Sequence, residues 1–301
     1  MTRRGLLLFA AMCVIWGIPY LLIRIAVAEV SPAVLVFTRT AVAALILMPV
    51  VLARGGLRSV GGKWVPLLAF AGVEVGGPWF LMGSAEQHIS SSLAALLVSA
   101  VPLVGVLINP MFGARDRIGP VGVGGLLLGL VGVLAIVGLD LRVSNAWALV
   151  AMALVAVGYA LGPALLSRYL TGVPAPTVIG VSLAACAIVY APVAALQWPH
   201  AMPSATVVGS VAVLAVVCTA LAFLLFFALV AEIGPVRSTV ITYINPAVAA
   251  LLGVAVLREN FTLGMGVGFL LVLAGSVLAT RRHTPSEAPE RVPELMAEEA
   301  L

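Results

Sequence analysis

Apolar residues run along this chain in stretches of about twenty, and polar residues gather in the short intervals between them. A helix rises about 1.5 Å per residue, so about twenty apolar residues cover the roughly 30 Å hydrocarbon core of a bilayer. On that measure the pattern predicts ten spans, at about 5–27, 33–53, 65–84, 91–112, 118–138, 146–167, 177–197, 207–230, 236–256 and 263–281. Each must be helical, because a lipid-facing segment has to satisfy its own backbone polar groups. The predicted fold class is all-α integral membrane, with ten transmembrane helices.

The runs also repeat. An offset of 144 carries Pro19 to Pro163, Leu21 and Leu22 to Leu165 and Leu166, Arg24 to Arg168, Pro32 to Pro176, Leu81 to Leu225, Ile89 to Ile233 and Pro102 to Pro246. One offset held from the start of the chain to its middle is the mark of internal duplication. Residues 1–140 then form a first repeat with spans 1–5, and 141–282 a second with spans 6–10. Five spans is an odd number, so the second copy must cross the membrane inverted. Inverted repeats are a recurring plan of secondary transporters, whose halves exchange conformations around a site near the bilayer midplane.

Composition agrees with the pattern. Of 301 residues, 62% are hydrophobic and 9% charged, against about 25% charged in soluble domains. The net charge of +4 does not point to nucleic acid, because the basic residues sit between apolar runs. If the N-terminus is inside, inner segments hold Arg3, Arg4, Arg54, Arg58, Lys63, Arg115, Arg117, Arg168, Arg237, Arg281 and Arg282, and outer loops only Arg142 and Arg258. That bias places both termini in the cytoplasm. Arg3 and Arg4 before an apolar run resemble a signal peptide, but no small-residue cleavage site follows, so the first span is read as retained. Residues 283–301, with three prolines and five glutamates, are expected to form a disordered cytoplasmic tail. Cys13, Cys186 and Cys218 are dispersed in apolar runs, with neither metal-ligand spacing nor a disulfide framework, and no cofactor motif appears.

Several of these residues carry a resemblance. Trp16-Gly17 followed by an aromatic and a basic residue, then Pro32 with Arg39 seven positions on, is similar to the first repeat of the drug/metabolite transporter superfamily, EamA type. Ser91-Ser92-Leu93-Ala94-Ala95 leading to Pro102 resembles the fourth helix of that family. The Arg258-Glu259 turn with Gly268 and Gly275 resembles the close of its second repeat, and Arg115-Asp116 with Gly125 and Gly132 is the counterpart in the first. The resemblance covers about residues 5–281. It implies a ten-helix carrier of the inner membrane, often exporting amino acids or other small metabolites.

Inside the spans, a few residues are candidates for that task. Pro19 lacks a backbone donor and Gly17 weakens the helix, so span 1 should kink there; Pro163 should do the same in span 6. These three are candidate hinges. Trp16 and Tyr20, four apart, share a helix face and either line a substrate pocket or pack on a neighbour. Thr242, Tyr243 and Asn245 before Pro246, and Ser99 in the first half, are candidates for pocket lining, with interhelical hydrogen bonding the alternative. Arg24 lies near its span end and can reach the surface, whereas Arg39 is roughly 9 Å deep and calls for a carboxylate or anionic substrate.

Glu74 is the sharpest signal. It lies in mid-span, about 15 Å from either surface, too far for a short side chain to reach. An unpaired charge there is costly. Either an arginine pairs with it, Arg39 being nearest in depth, or it takes up a proton and serves as a coupling site or a contact for a substrate ammonium group. The function expected is secondary transport, with export of a small metabolite by alternating access. A phosphate-ester or nucleotide-sugar exchanger would call for deep lysines or arginines, and no span holds a lysine. An intramembrane enzyme would need a nucleophile elbow, paired aspartates or a His-Glu-x-x-His, and none is present. A non-transporting scaffold would leave Glu74 and the twin prolines without purpose.

Overall fold

The computed structural model describes residues 2–112, 119–138 and 145–280. Arg115, Asp116, Arg117, Arg142, Arg281, Arg282 and the tail at 283–301 lie outside the described residues. The described chain is all-helical. Among the described residues, nine helices are long and apolar enough to cross a membrane: α1 (Arg3–Ala26), α2 (Pro32–Ala53), α3 (Trp64–Glu86), α4 (Ser91–Ile108), α5 (Pro120–Val137), α6 (Ala146–Tyr169), α7 (Ala175–Leu196), α8 (Ala205–Ile233) and α10 (Leu263–Thr280). Between the last two lies α9 (Ile241–Leu257), apolar but shorter. Its first turn falls later than the apolar run predicted, because a short helix at Pro235–Ser238 takes up the residues before it.

Caps set where the helices begin. Thr2 accepts from Gly5 N at 2.9 Å, Ser31 from Val34 N at 3.3 Å, Ser90 from Leu93 N at 3.1 Å, Asn145 from Trp147 N at 3.0 Å and Ser204 from Val207 N at 3.4 Å. Each supplies an acceptor to a first-turn amide that has no partner within its helix. Large apolar side chains such as Leu7, Leu45, Val65, Ile188 and Leu196 point outward, the surface a lipid solvent requires.

Two helix pairs pack most extensively, α5 along α10 and α2 along α7. The first is a backbone contact made by glycines. A Cβ on Gly125 would stand 2.5 Å from Ala279 N, and one on Gly275 2.5 Å from Gly129 N. The Gly125-x-x-x-Gly129 pattern therefore serves packing within the chain. Gly72 faces open space, while Gly76 lies against Cys186 and Tyr190 of α7.

The helix ends define two faces. One, here called distal, carries the connections α1–α2, α3–α4, α7–α8 and α9–α10, whose residues together line one cleft. The other, proximal, carries the N-terminus, where Thr2 donates to Glu232 at 2.5 Å and Arg4 pairs with the same carboxylate at 3.9 Å. Lys63 also donates to the Thr171 carbonyl, tying the α2–α3 connection to that between α6 and α7.

Candidate functional site

Two π-helical segments interrupt the long helices, Ala71–Gly76 in α3 and Val216–Leu221 in α8. They stand at matching places in the two halves of the chain, 145 positions apart. A π segment widens the turn and frees backbone groups, and such segments are frequent at functional sites. Both are met by polar side chains. Tyr190 Oη of α7 donates to the Gly76 carbonyl at 2.9 Å, and Cys186 Sγ of α7 donates to the Ala71 carbonyl at 3.4 Å. In α8, Thr219 donates to the Leu214 carbonyl at 2.8 Å and accepts from Arg39 Nε of α2 at 2.7 Å.

Glu74 lies in the first of these segments. Its Oε2 is buried with no hydrogen-bond partner and rests against Gly162 of α6, where an added Cβ would stand 1.8 Å away. Arg39 does not pair with it. The Arg39 guanidinium stacks on the Trp79 ring at 3.6 Å from its centroid, a cation–π contact, besides holding Thr219. The single ion pair among the described residues is Arg4–Glu232. Tyr159 of α6 lies within electrostatic range of both Glu74 and Arg39 and interacts with the Trp79 side chain. Glu74, Tyr159, Trp79, Arg39 and Thr219 thus form one polar group at mid-span, from α2, α3, α6 and α8.

The hinge candidates behave differently from each other. In α1 the helix stops at Ile15 and restarts at Ile18, with Trp16 and Gly17 in the gap and Pro19 in the first turn of the new helix. Pro163 sits inside an unbroken α6, so the twin kink is not matched by a twin break. Gly158 and Gly162, both just before the proline, let α6 lie directly on the π segment of α3.

The break in α1 also separates Trp16 from Tyr20. Trp16 packs on Phe226 and Phe223 of α8, with ring centroids at 4.8 and 5.8 Å, and shares one apolar cluster with Phe226. Tyr20 is buried in another, facing Tyr159, Arg39 and Glu86. The polar stretch of α9 divides as well. Thr242 is exposed and donates to the Thr239 carbonyl at 2.6 Å. Tyr243 is half-buried. Asn245 is buried, and its amide is placed to donate to Cys13 and Ile241 carbonyls, each at 3.0 Å, clamping α9 to α1. Ser99 is buried where α4 loosens before Pro102, and donates to Leu96 O at 2.5 Å.

Sequence reasoning missed Trp79, Tyr159, Thr219 and Glu86. A tyrosine deep in an apolar run was a legible sign for Tyr159. Glu86 falls just beyond the run at 65–84, yet it ends α3 fully buried.

The distal face carries an open cleft of about 810 Å³, lined among others by Arg24, Glu29, Gln87, His88, Ser204 and Glu259. Two carboxylates bind it across the chain. Glu259 accepts from Ser91 N, Ser91 Oγ, Ser92 N and Ser92 Oγ at 2.8, 2.9, 2.9 and 2.5 Å, capping α4. Glu29 accepts from Ser204 N and Oγ at 2.6 and 2.7 Å at the start of α8. The Ser204 amide, then its hydroxyl, hold the Glu29 carboxyl below its ordinary value of 4.5.

Comparison with known proteins bears on this arrangement. The uncharacterized inner membrane transporter YedA of Escherichia coli strain K12, and its counterpart in Escherichia coli O157:H7, are each 27% identical over 281 residues, 89% of this chain and 90% of theirs. A solved crystal structure superposes with a TM-score of 0.65 over 92% of this chain and 97% of its own at 23% identity, a likeness of fold. The model of the EamA-like transporter family matches twice, over residues 3–138 and 146–281. Together these matches span nearly the whole apolar part of the chain, which is a membrane transporter belonging to the EamA-like transporter family.

Proposed function

We propose that this chain is a secondary transporter of the inner membrane that moves a small polar or amphipathic metabolite, such as an amino acid, outward by alternating access. The observation that carries the reading is Glu74, a mid-span carboxylate with a bare oxygen, set in a π segment whose counterpart in α8 is held by Arg39. A carboxylate oxygen that a folded protein keeps buried and unpartnered inside a membrane has a use, as a proton acceptor or as the partner of a substrate ammonium group.

In this reading the ten helices are two inverted repeats, residues 1–140 and 141–282. The matched positions of the π segments support it, as does the packing of α2 on α7 and α5 on α10, pairs that each exchange with themselves under the repeat. Among the described residues, the proximal face carries Arg3, Arg4, Arg54, Arg58, Lys63, Arg168 and Arg237, and the distal face Arg24 and Arg258. That asymmetry supports a cytoplasmic proximal face and cytoplasmic termini. The substrate path runs beside Trp16, Tyr20, Glu74 and Ser99, with Thr242, Tyr243 and Asn245 on the facing helix and Gly17 and Pro19 as the hinge. Arg39 orders the second π segment in place of pairing with Glu74. No cofactor enters the scheme, and the chain acts as a carrier and not as an enzyme.

Counterflow of labelled amino acids in proteoliposomes tests it. The wild-type protein should accelerate exchange and respond to a pH gradient. Glu74→Gln should fold as a monodisperse protein and lose the gradient response. Full gradient-driven transport by Glu74→Gln would remove Glu74 from the mechanism, and absence of counterflow with every amino acid tried would remove that class of cargo.

A further inference from the structure

Glu86 has no part in the scheme above. It closes α3 beneath the distal cleft, whose walls include its neighbours Gln87 and His88 together with Arg24 and Glu259. Its side chain is 0% exposed, and both carboxyl oxygens are buried without a hydrogen-bond donor. The nearby cation attracts it through space but gives the carboxyl no hydrogen bond, because the Arg24 guanidinium donates to the Glu86 backbone carbonyl instead. The nearby anion opposes it: Glu259, held in place by Ser91 and Ser92, adds negative charge from the α9–α10 connection. The other titratable groups facing it are two phenols, Tyr20 from α1 and Tyr159 from α6.

We propose that Glu86 is a second proton-binding site of this transporter, occupied while the floor of the distal cleft is sealed over it, as in this structure, and released when that floor opens. The space around Glu86 accommodates the carboxylic acid and not the carboxylate, because a bare buried charge is far costlier than a neutral acid. The bound proton needs no room, which suits a site sealed from solvent. Opening the floor hydrates the carboxyl, so the acid gives its proton to water and remains as a carboxylate. The closed state then holds one proton more than the open state. Raising the pH therefore favours the open state, by at most about tenfold in population per pH unit for one linked proton.

The inference rests on the transporter reading in one respect, that the floor of the cleft opens and closes. Its test needs neither a cargo nor a gradient, so the two can fail separately. Cys13, Cys186 and Cys218 are replaced by alanine, and Ile89→Cys, buried on the cleft wall, is introduced together with His88→Ala, which removes the cleft histidine. The rate of labelling by a maleimide is followed against pH in detergent or nanodiscs, after correction for the reagent's own pH dependence on a free thiol. The rate should rise with pH, approaching tenfold per unit at its steepest, and should be flat in Glu86→Gln. Glu29→Gln and Glu259→Gln should keep the rise. A flat profile in the parent, or an equal rise in Glu86→Gln, overturns the proposal. Should Glu86→Gln fail to fold, Glu86→Asp decides: the retracted carboxyl must move the midpoint, and an unmoved midpoint overturns it too.

Discussion

A single methyl group tests the placement of Glu74. Gly162 of α6 faces the first π segment, and a Cβ there would stand 1.8 Å from Glu74 Oε2, 2.7 Å from its Cδ and 3.0 Å from its Cβ. Nonbonded heavy atoms rest at about 3.5 Å, so Gly162→Ala must drive the carboxyl away by roughly 1.5 Å or push the helices apart. Overpacking of that kind costs about 1–3 kcal/mol. Glu74→Ala deletes the two closest atoms and leaves only the 3.0 Å contact. In that background Gly162→Ala should cost under about 1 kcal/mol, a coupling of about 1–2 kcal/mol. The neighbouring Gly158 supplies the control. A Cβ there would stand 2.4 Å from the Val73 backbone carbonyl, so Glu74→Ala cannot relieve Gly158→Ala. Thermal unfolding of the purified variants, followed by size exclusion after heating, reads all of these. Transport by Gly162→Ala should fall about tenfold or more, because a displacement near 1 Å at a working group is enough to do so. Additive costs for Gly162→Ala and Glu74→Ala, within about 0.5 kcal/mol, would refute the assigned position of the Glu74 side chain.

Other outcomes are equally direct. Trp16→Ala, which removes the contacts to Phe223 and Phe226, should lower thermal stability by about 3 kcal/mol or more. Tyr20→Phe, which keeps the ring and removes the hydroxyl facing Arg39 and Tyr159, should leave the melting temperature near wild type and reduce transport; loss of both in parallel would give Tyr20 a packing role. Glu29 contributes stability in its ionised form, because its value is lowered in the folded chain. That contribution is present above the ordinary carboxylate range and lost as pH falls through the lowered value. Melting temperature against pH should therefore lose its acid-side slope in Glu29→Gln, and an unchanged slope would deny the Ser204 contact its role.

The part of this protein that was legible in the sequence is the part that the solvent dictates. Lipid demands apolar runs of fixed length, so nine of the ten predicted runs are helices long enough to cross a membrane and the other is a shorter apolar helix, and the break in α1 falls at Gly17 and Pro19, where a donor is missing and the backbone is loose. Glu74 stood out for the same reason, as a charge where water does not reach. What became of these groups was decided by contacts between residues far apart in the chain. Arg39 meets Trp79 and Thr219, and not Glu74, because α2 lies against α3 and α8 at those positions. Pro163 stays inside an unbroken α6, which two glycines just before it seat on α3. The sequences Ala-Gly-Val-Glu-Val-Gly and Val-Val-Cys-Thr-Ala-Leu share no signal, yet both form π segments, since side chains from α7 and α2 meet the backbone and threonine groups there. Thr242, in the first turn of α9, is exposed and bonds back to the Thr239 carbonyl, whereas Asn245 one turn on is buried against α1. Glu86 looked like a loop residue and is buried because α1 and the α9–α10 connection close over the end of α3. Apolar periodicity is a local property and reads directly from the chain; the partner of a buried polar group depends on which helices touch, and only the tertiary structure of this protein decides that.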